Sequence, residues 1–316
     1  MFYNFLIAAV GAGVPLLFGT VGEILCEKTG HLNLGVEGMM SIGACAGFLF
    51  GYMTDSFWIA ILAAAAAGAL SALIYAVLTV TFMANQNVAG LTLTIFGIGL
   101  ANFIGILALG RTQEGTLKLP EHIMAAMQNI HIAGLSELPV VGPLLFSYCP
   151  FVYIGVVIAI LCGFYLDKTK AGLNVQAIGE NPAAADAAGI QVVKWKYINI
   201  LSGGAICGIG GAYCSMIING GVWISDNVGG LGWIAVALVI FANWKPVYAI
   251  GGSFVFGALR VLKFYVPKSM FAFPNAFYDM LPFLITAIVL VLSSMRKNGR
   301  IGIPASLGLN YFREDR

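Results

Sequence analysis

The chain alternates long apolar runs with short polar segments, and the runs are too uniformly apolar for the half-buried helices of a water-soluble fold. Crossing a bilayer core takes ~20 mostly apolar residues. On that criterion the candidate spans are 3–22, 38–53, 57–83, 88–110, 149–166, 197–218, 230–244, 247–266 and 281–295. The pattern predicts an all-α polytopic membrane protein with about nine transmembrane helices, within a range of about eight to ten. Run 57–83 is long and Ala-rich, and reading it as two elements instead of one would change the parity of everything before it.

One polar segment breaks the pattern. Residues 22–38, GEILCEKTGHLNLGVEG, lie between two apolar runs and hold Glu23, Glu27, Lys28, His31 and Glu37. Ionisable groups near bilayer depth cost roughly 2.5–3.5 kcal/mol each on insertion scales, so they usually face an interior or a pathway. Gly30, Gly35 and Gly38 weaken helix continuity here, and Asn33 can satisfy backbone groups freed by an unwound turn. The segment is therefore either a short loop or a break in a discontinuous helix, which membrane proteins tolerate only where protein or water surrounds it. A helix running through it would put Glu23, Glu27 and His31 on one face. That face could be a proton relay or metal site, or a hydrogen-bonded network holding the break, with Lys28 partly neutralising the acids. Glu37 could favour the N-terminus of its own helix through the helix dipole. Gly229-Gly230-Leu231-Gly232-Trp233 opens the 230–244 span much as residues 30–35 open the 38–53 span, which is compatible with an internal repeat.

Orientation follows from Lys and Arg in short loops. DKTK at 167–170, Lys194 with Lys196, and RKNGR at 296–300 fall on one side when spans are counted back from the C-terminus. That side is cytoplasmic by the positive-inside rule, and it also holds 84–87 and 243–246. Segments 111–148, 219–229 and 267–280 then lie outside. In loop 111–148, Arg111 and Lys118 stand against Glu114, Glu121 and Glu137. The N-terminus lies outside too, unless the first segment is re-entrant. Arg260 and Lys263 would snorkel to the outer interface. Trp58, Trp223, Trp233 and Trp244 stand near span ends, as an aromatic belt would place them.

Composition agrees. Apolar residues make up 59% and charged residues 9%, against about 25% charged in soluble domains, and mean hydropathy is +0.91. Glycine, at 40 residues, suits close helix contact in a bilayer. A net charge of +2 gives no nucleic-acid signature. The six cysteines form no CxxC pair and read as small buried hydrophobes. The first run follows Met1 with no basic region or small-residue cleavage site, so it reads as a retained span.

The second informative segment is 167–196. Asn181-Pro182 followed by AAADAAG reads as a short helix with Asn181 as N-cap, Pro182 in the first turn and Gly189 as its stop. It is either a rigid docking element for a soluble partner or a connector. TGHLNLGVEGMMSIGA (29–44) together with GLNVQAIGENPAAADAAGI (172–190) resembles the permease subunits of bacterial ABC importers. The likeness is strongest to the nucleoside and simple-sugar class, related to ribose and branched-chain amino acid permeases, and runs over roughly 15–300. It implies one transmembrane permease domain over 1–316, with 167–196 as a cytoplasmic loop, 111–148 as an extracytoplasmic loop and 296–316 as a cytoplasmic tail. It further implies that Gly179, Glu180, Asn181, Ala184, Asp186 and Gly189 form the coupling helix that docks on an ATPase. Glu23, Glu27, His31, Asn33 and Glu37 would shape the translocation pathway, with Thr92, Thr94 and Asn102 of the 88–110 span, and Asn87 just before it, as polar groups able to face it.

The expected function is import of a nucleoside or simple sugar by ATP-driven alternating access in a bacterial inner membrane. Partners would be ABC ATPase subunits, a second permease (homologous or identical) and an extracytoplasmic substrate-binding lipoprotein. No cofactor or metal is implied. A GxxxxGK[ST] sequence is absent, so the ATPase would be a separate polypeptide and this chain no enzyme. The alternative is a proton-coupled transporter or channel working alone, with Glu23, Glu27 and His31 coupling protons to a small polar solute. A membrane-embedded enzyme would need a catalytic pair, and none stands out.

Overall fold

The computed structural model describes residues 2–110, 115–130, 142, 146–266, 274–295 and 302–312. Arg111, Glu114, Glu137 and the basic run 296–300 lie outside the described residues. The helices are α1 (Phe2–Glu27), α2 (Val36–Thr54), α3 (Phe57–Ala76), α4 (Gln86–Leu109), α5 (Glu121–Ala126), α6 (Pro150–Lys168), α7 (Lys170–Glu180), α8 (Pro182–Ala187), α9 (Val192–Tyr213), α10 (Leu231–Phe241), α11 (Pro246–Tyr265) and α12 (Asn275–Met295). Among the described residues seven are long and apolar enough to cross a bilayer, and α10 and the first part of α12 are shorter apolar helices. The all-α polytopic expectation holds, as does the count of about nine.

Boundaries moved where tertiary contacts override composition. The 57–83 run is one element: α3 continues into a widened π-helical turn, Val77–Thr81, so the parity stands. Helix α9 likewise ends in a π turn, Cys214–Ile218, and it starts at Val192. Lys194 and Lys196 thus sit in its first turns instead of in a loop, where the apolar stem of a lysine can pack while its head reaches a polar region.

Helix α9 is the central post. In its span 78% of the residues are buried, against 22% in α11 and 28% in α4, whose outer faces are left apolar for lipid or a partner. It packs on α1, α2 and α3. Small residues make this possible: a Cβ on Gly43 of α2 would come within 2.7 Å of the Gly208 carbonyl carbon, so those backbones touch where any side chain would separate them.

The loops sort onto two faces. On one, 28–33, 83–86, 179–186, 243–246 and 302–311 are tied together by hydrogen bonds. This face carries Lys28, Lys168, Lys170, Lys194 and Lys245 and is called the basic face below. On the other, Asp55 Oδ1 accepts from the Ile123 N–H (3.2 Å), and Leu117 O accepts from the Trp223 N–H (2.9 Å).

The aromatic-belt expectation fails for two of its four residues. Trp58 and Trp233 are 66% and 36% exposed, as a belt residue should be, but Trp223 and Trp244 are buried. Trp223 packs edge-on against Phe48, and Trp244 serves the site described next. Lys263 pairs with Asp279 at 2.7 Å.

Candidate functional site

The insert is a break in a helix, set into the protein below the basic face. Helix α1 stops at Glu27, where the Thr29 hydroxyl donates to Cys26 O (2.7 Å) and the Gly30 N–H to Glu27 O (2.8 Å). Gly30 then takes φ +86°, a left-handed conformation open to glycine at no steric cost. Residues 31–33 are non-helical and α2 begins at Val36. His31 therefore lies beyond the break, not on a helical face shared with Glu23 and Glu27.

Several backbone groups freed by the break find side chains, and Gly30 O accepts from the Gly308 N–H. The Leu32 N–H donates to Gln86 Oε1 (2.8 Å), and Leu32 O accepts from the Tyr75 hydroxyl (2.7 Å). The Asn33 N–H donates to Glu23 Oε1 (2.9 Å), the Gly35 N–H to Asn33 Oδ1 (2.9 Å), and the Thr94 hydroxyl to Leu34 O (2.8 Å). Non-helical backbone inside a membrane protein survives only with such partners. Glu23, Glu27, His31, Asn33, Glu37 and Thr94 are all at least 96% buried.

Lys28 does not neutralise the acids, and Glu23 and Glu27 lie within side-chain hydrogen-bond reach of each other. Lys28 turns away from the acids and donates to Gly302 O at 3.0 Å. Burial pulls its ammonium below the usual lysine value, against the opposing pull of Glu180 and Asp167. The Trp244 indole N–H donates to Glu27. Burial pushes the His31 imidazole down to about 3, with nearby Lys196 adding to the effect, so it is neutral at physiological pH. Among the described residues no three His, Cys, Asp or Glu side chains are grouped as metal ligands would be.

Glu37 stands in the first turn of α2, and its side chain reaches across to a second helix. Its carboxylate accepts from the Gly230 N–H (2.8 Å) and the Gly232 N–H (2.5 Å), so it caps α10. A carboxylate there satisfies two donors that the helix start leaves free and meets the positive end of its dipole. The two glycine-rich openings noted in the sequence thus meet in space. A Cβ on Gly232 would lie 2.5 Å from both the N and Cα of Glu37, so only glycine fits.

The 88–110 candidates divide. Thr94 faces the insert, and Asn102 Oδ1 accepts from the Asp226 N–H at 2.9 Å, whereas Asn87 and Thr92 are exposed on α4. Helices α7 and α8 project from the basic face. The Asn181 side chain accepts from the Ala184 N–H (3.0 Å), Pro182 opens α8, and Gly189 follows its end at φ +84°. Glu180, Asn181 and Ala184 are exposed, while Gly179 is buried against Lys28. Gly179 O accepts from the Ser306 hydroxyl (2.6 Å), and the Tyr311 hydroxyl donates to Asp186 Oδ2 (2.8 Å).

Sequence reasoning missed the C-terminal strap. Residues 302–312 connect loop 243 (Asn243 Oδ1 to the Gly302 N–H, 2.8 Å), the insert (Gly308 N–H to Gly30 O, 3.0 Å), loop 83–86 (Asn310 Nδ2 to Met83 O, 2.6 Å) and α7–α8. The signal available was PASLGLNYF, small and polar residues after a basic run, which reads as a tail until its partners are seen. Gln86 was missed too. It is 3% exposed and bridges Leu32 to Asn310, and in sequence it is one of several polar residues in ANQN.

Comparison with known proteins adds the following. A family model described as branched-chain amino acid transport system / permease component matches residues 5–290. A guanosine ABC transporter permease of Bacillus subtilis, NupQ, is 33% identical over 96% of this chain and 94% of its own length. A nucleoside ABC transporter permease of Lactococcus lactis, NupC, is 33% identical over 95% and 93%. A Haloferax volcanii protein carrying the name of a glucose ABC transporter permease, TsgC13, is 33% identical over 97% of both chains. Among solved structures, a metal-chelate type ABC transporter in an inward-facing conformation aligns at a TM-score of 0.46 and 14% identity, over 91% of this chain and 83% of that one.

Proposed function

The chain belongs to the branched-chain amino acid transport system permease family, and from that premise we propose that it carries nucleosides or simple sugars into the cell as the permease of an ATP-driven importer. It is a multi-pass inner-membrane permease subunit of an ABC transporter, a transport component that works with an ATPase and other ABC components. The observation that carries the solute class is the 33% identity, over nearly the full length of both chains, to permeases named for guanosine, nucleosides and glucose.

In this reading ATP hydrolysis belongs to a separate polypeptide, since the chain has no phosphate-binding GxxxxGK[ST] sequence. The basic face is cytoplasmic by the positive-inside rule. Helices α7 and α8 are the coupling element: Glu180, Asn181 and Ala184 stand exposed on it for an ATPase groove, while Gly179, Asp186 and Gly189 shape and anchor it. A second permease, identical or homologous, completes the pathway, and a substrate-binding lipoprotein delivers the solute at the opposite face. The insert shapes the wall of the path from behind, because Glu23, Glu27, Asn33 and Glu37 each hold a backbone or indole donor inside the protein, while Glu23 Oε2 stays buried beside Glu27. Asn87 and Thr92, exposed on α4, are the polar groups free to face solute or the second permease.

Alternating access then has a material route. ATP-driven closure of the ATPase pair displaces α7–α8, and the strap bonded to Gly179 and Asp186 passes that displacement to the insert, loop 83–86 and loop 243. The test is uptake of labelled guanosine and glucose into proteoliposomes holding the assembled transporter. Uptake should require ATP and the binding protein, and Glu180→Lys should lower it about tenfold or more by placing a like-sign or unpaired charge at the docking surface. Proton-driven uptake by this chain alone would overturn the reading.

A further inference from the structure

A cavity of about 580 Å³ opens on the basic face between the end of α3, the start of α9, the Asp186–Tyr311 contact and the insert. Lys196 lines it at 5% exposure and has no hydrogen-bond or ion-pair partner among the described residues. His31 lines it as well, and its Nδ1 is buried with no partner. Lys194 stands at the exposed edge. The first turn of the 22-residue helix α9 forms part of the wall, and no side chain caps its free N–H groups. A buried ring nitrogen without a partner, a lysine with no partner among the described residues and an uncapped helix start therefore converge on one space. A buried ammonium without a counter-charge is costly, and a protein keeps one where something else supplies the charge.

We propose that this cavity is a binding site for a soluble organic phosphate monoester. The anion is set by the lining. Lys194 and Lys196 outnumber Asp186, the acidic group on the wall, whose carboxylate already accepts from the Tyr311 hydroxyl at 2.8 Å. The organic part is set by size and by the remaining wall: Val80, Met83 and Ile190 present apolar surface, and the volume lies in the range of small-molecule sites, well beyond one phosphate. The phosphate would sit against Lys196 and the α9 N–H groups, where the helix dipole and the ammonium act together. The choice of monoester rests on the solute class proposed above, because kinase-type phosphoryl transfer is the reaction class that turns an imported nucleoside or sugar into such an anion on this side of the membrane.

The test is calorimetric titration of the whole transporter in nanodiscs of zwitterionic lipid, with the ATPase sites saturated by a non-hydrolysable ATP analogue. Guanosine 5′-monophosphate should bind saturably, inorganic phosphate should compete more weakly, and guanosine should not bind at this site. Lys196→Gln should weaken binding about tenfold, the loss of one charge-assisted hydrogen bond, and Lys196→Arg should stay within about threefold of wild type. If Lys196→Gln fails to assemble, Lys194→Gln, at an exposed position, should still weaken binding measurably. Absence of saturable binding, binding indifferent to both glutamine variants, or binding seen only in discs containing phosphatidic acid would each overturn the proposal. Failure of guanosine uptake would sink the transport reading and leave this binding result standing on its own.

Discussion

The insert at 28–37 and the α7–α8 hairpin at 170–190 occupy the same face of the molecule and spend their polar groups in opposite ways. In the insert nearly every donor and acceptor is turned inward: Glu23 holds Asn33, Glu37 holds the start of α10, Glu27 takes the Trp244 indole, and Gln86 and Tyr75 hold Leu32. In the hairpin the local caps are satisfied, yet Glu180, Asn181 and Ala184 remain exposed. Charge at membrane depth looks like chemistry in a sequence, but a carboxylate bonded to backbone N–H groups is architecture. A small capped helix looks like a connector, but a rigid one with exposed polar groups also suits the docking role proposed for it.

The sharpest way to break this contrast is to disturb the point where the two helix openings meet. Gly232→Leu places side-chain atoms where Glu37 already is, and overpacking of this kind costs typically 1–3 kcal/mol or more. We expect little monodisperse protein on size exclusion in detergent. Normal yield and an unchanged melting temperature would show that the contact is not close-packed.

Glu37→Ala comes next. It removes two hydrogen bonds to a charged acceptor, and at about 1.5–3 kcal/mol each it should cost about 3 kcal/mol or more in denaturant unfolding. Glu37→Gln, with one acceptor oxygen, should lose about half of that. If Glu37→Ala instead left stability intact and abolished transport, Glu37 would belong to the chemistry, and the contrast between the two regions would collapse.

His31 supplies a pH test. Its folded-state value, about 3, lies below the ordinary histidine value of 6.5, so the neutral form is the one the fold accepts. Above pH 6.5 folded and unfolded chains are both neutral, and its contribution is fully present. As pH falls from 6.5 toward 3 the unfolded chain takes up a proton that the folded chain refuses, and stability declines. Melting temperature should therefore drop between pH 7 and pH 5, and His31→Gln should flatten that drop. Parallel curves would remove His31 from the account.

The smallest expected effect lies in the hairpin. Asn181→Ala removes the cap on α8 and should cost about 1 kcal/mol locally, too little to change detergent yield. It should nevertheless loosen α8, read as faster amide exchange over 182–188 with the rest of the protein unchanged.

Much of this was legible without coordinates. The spans could be read because bilayer thickness imposes a length on apolar runs. The break near 22–38 and the Asn181 cap could be read because glycine, asparagine and proline act on the backbone within a few residues of themselves. The partners of the break could not. Gln86, Thr94, Gly230, Gly232 and Trp244 lie 54 to 217 residues from the groups they hold, and nothing local distinguishes them from interface tryptophans, loop amides or span glycines. Lys28 shows the limit well: beside Glu27 in sequence it looks like a counter-charge, and in the fold it bonds a carbonyl of the strap.

The sequence by itself determined the class of molecule and the two segments worth attention, since those follow from hydropathy and backbone preference summed over short windows. Tertiary structure alone decided which of the two is packed shut and which is presented outward. That decision rests on long-range hydrogen bonds and on helices brought to backbone contact at glycine, and both depend on where distant segments come to lie.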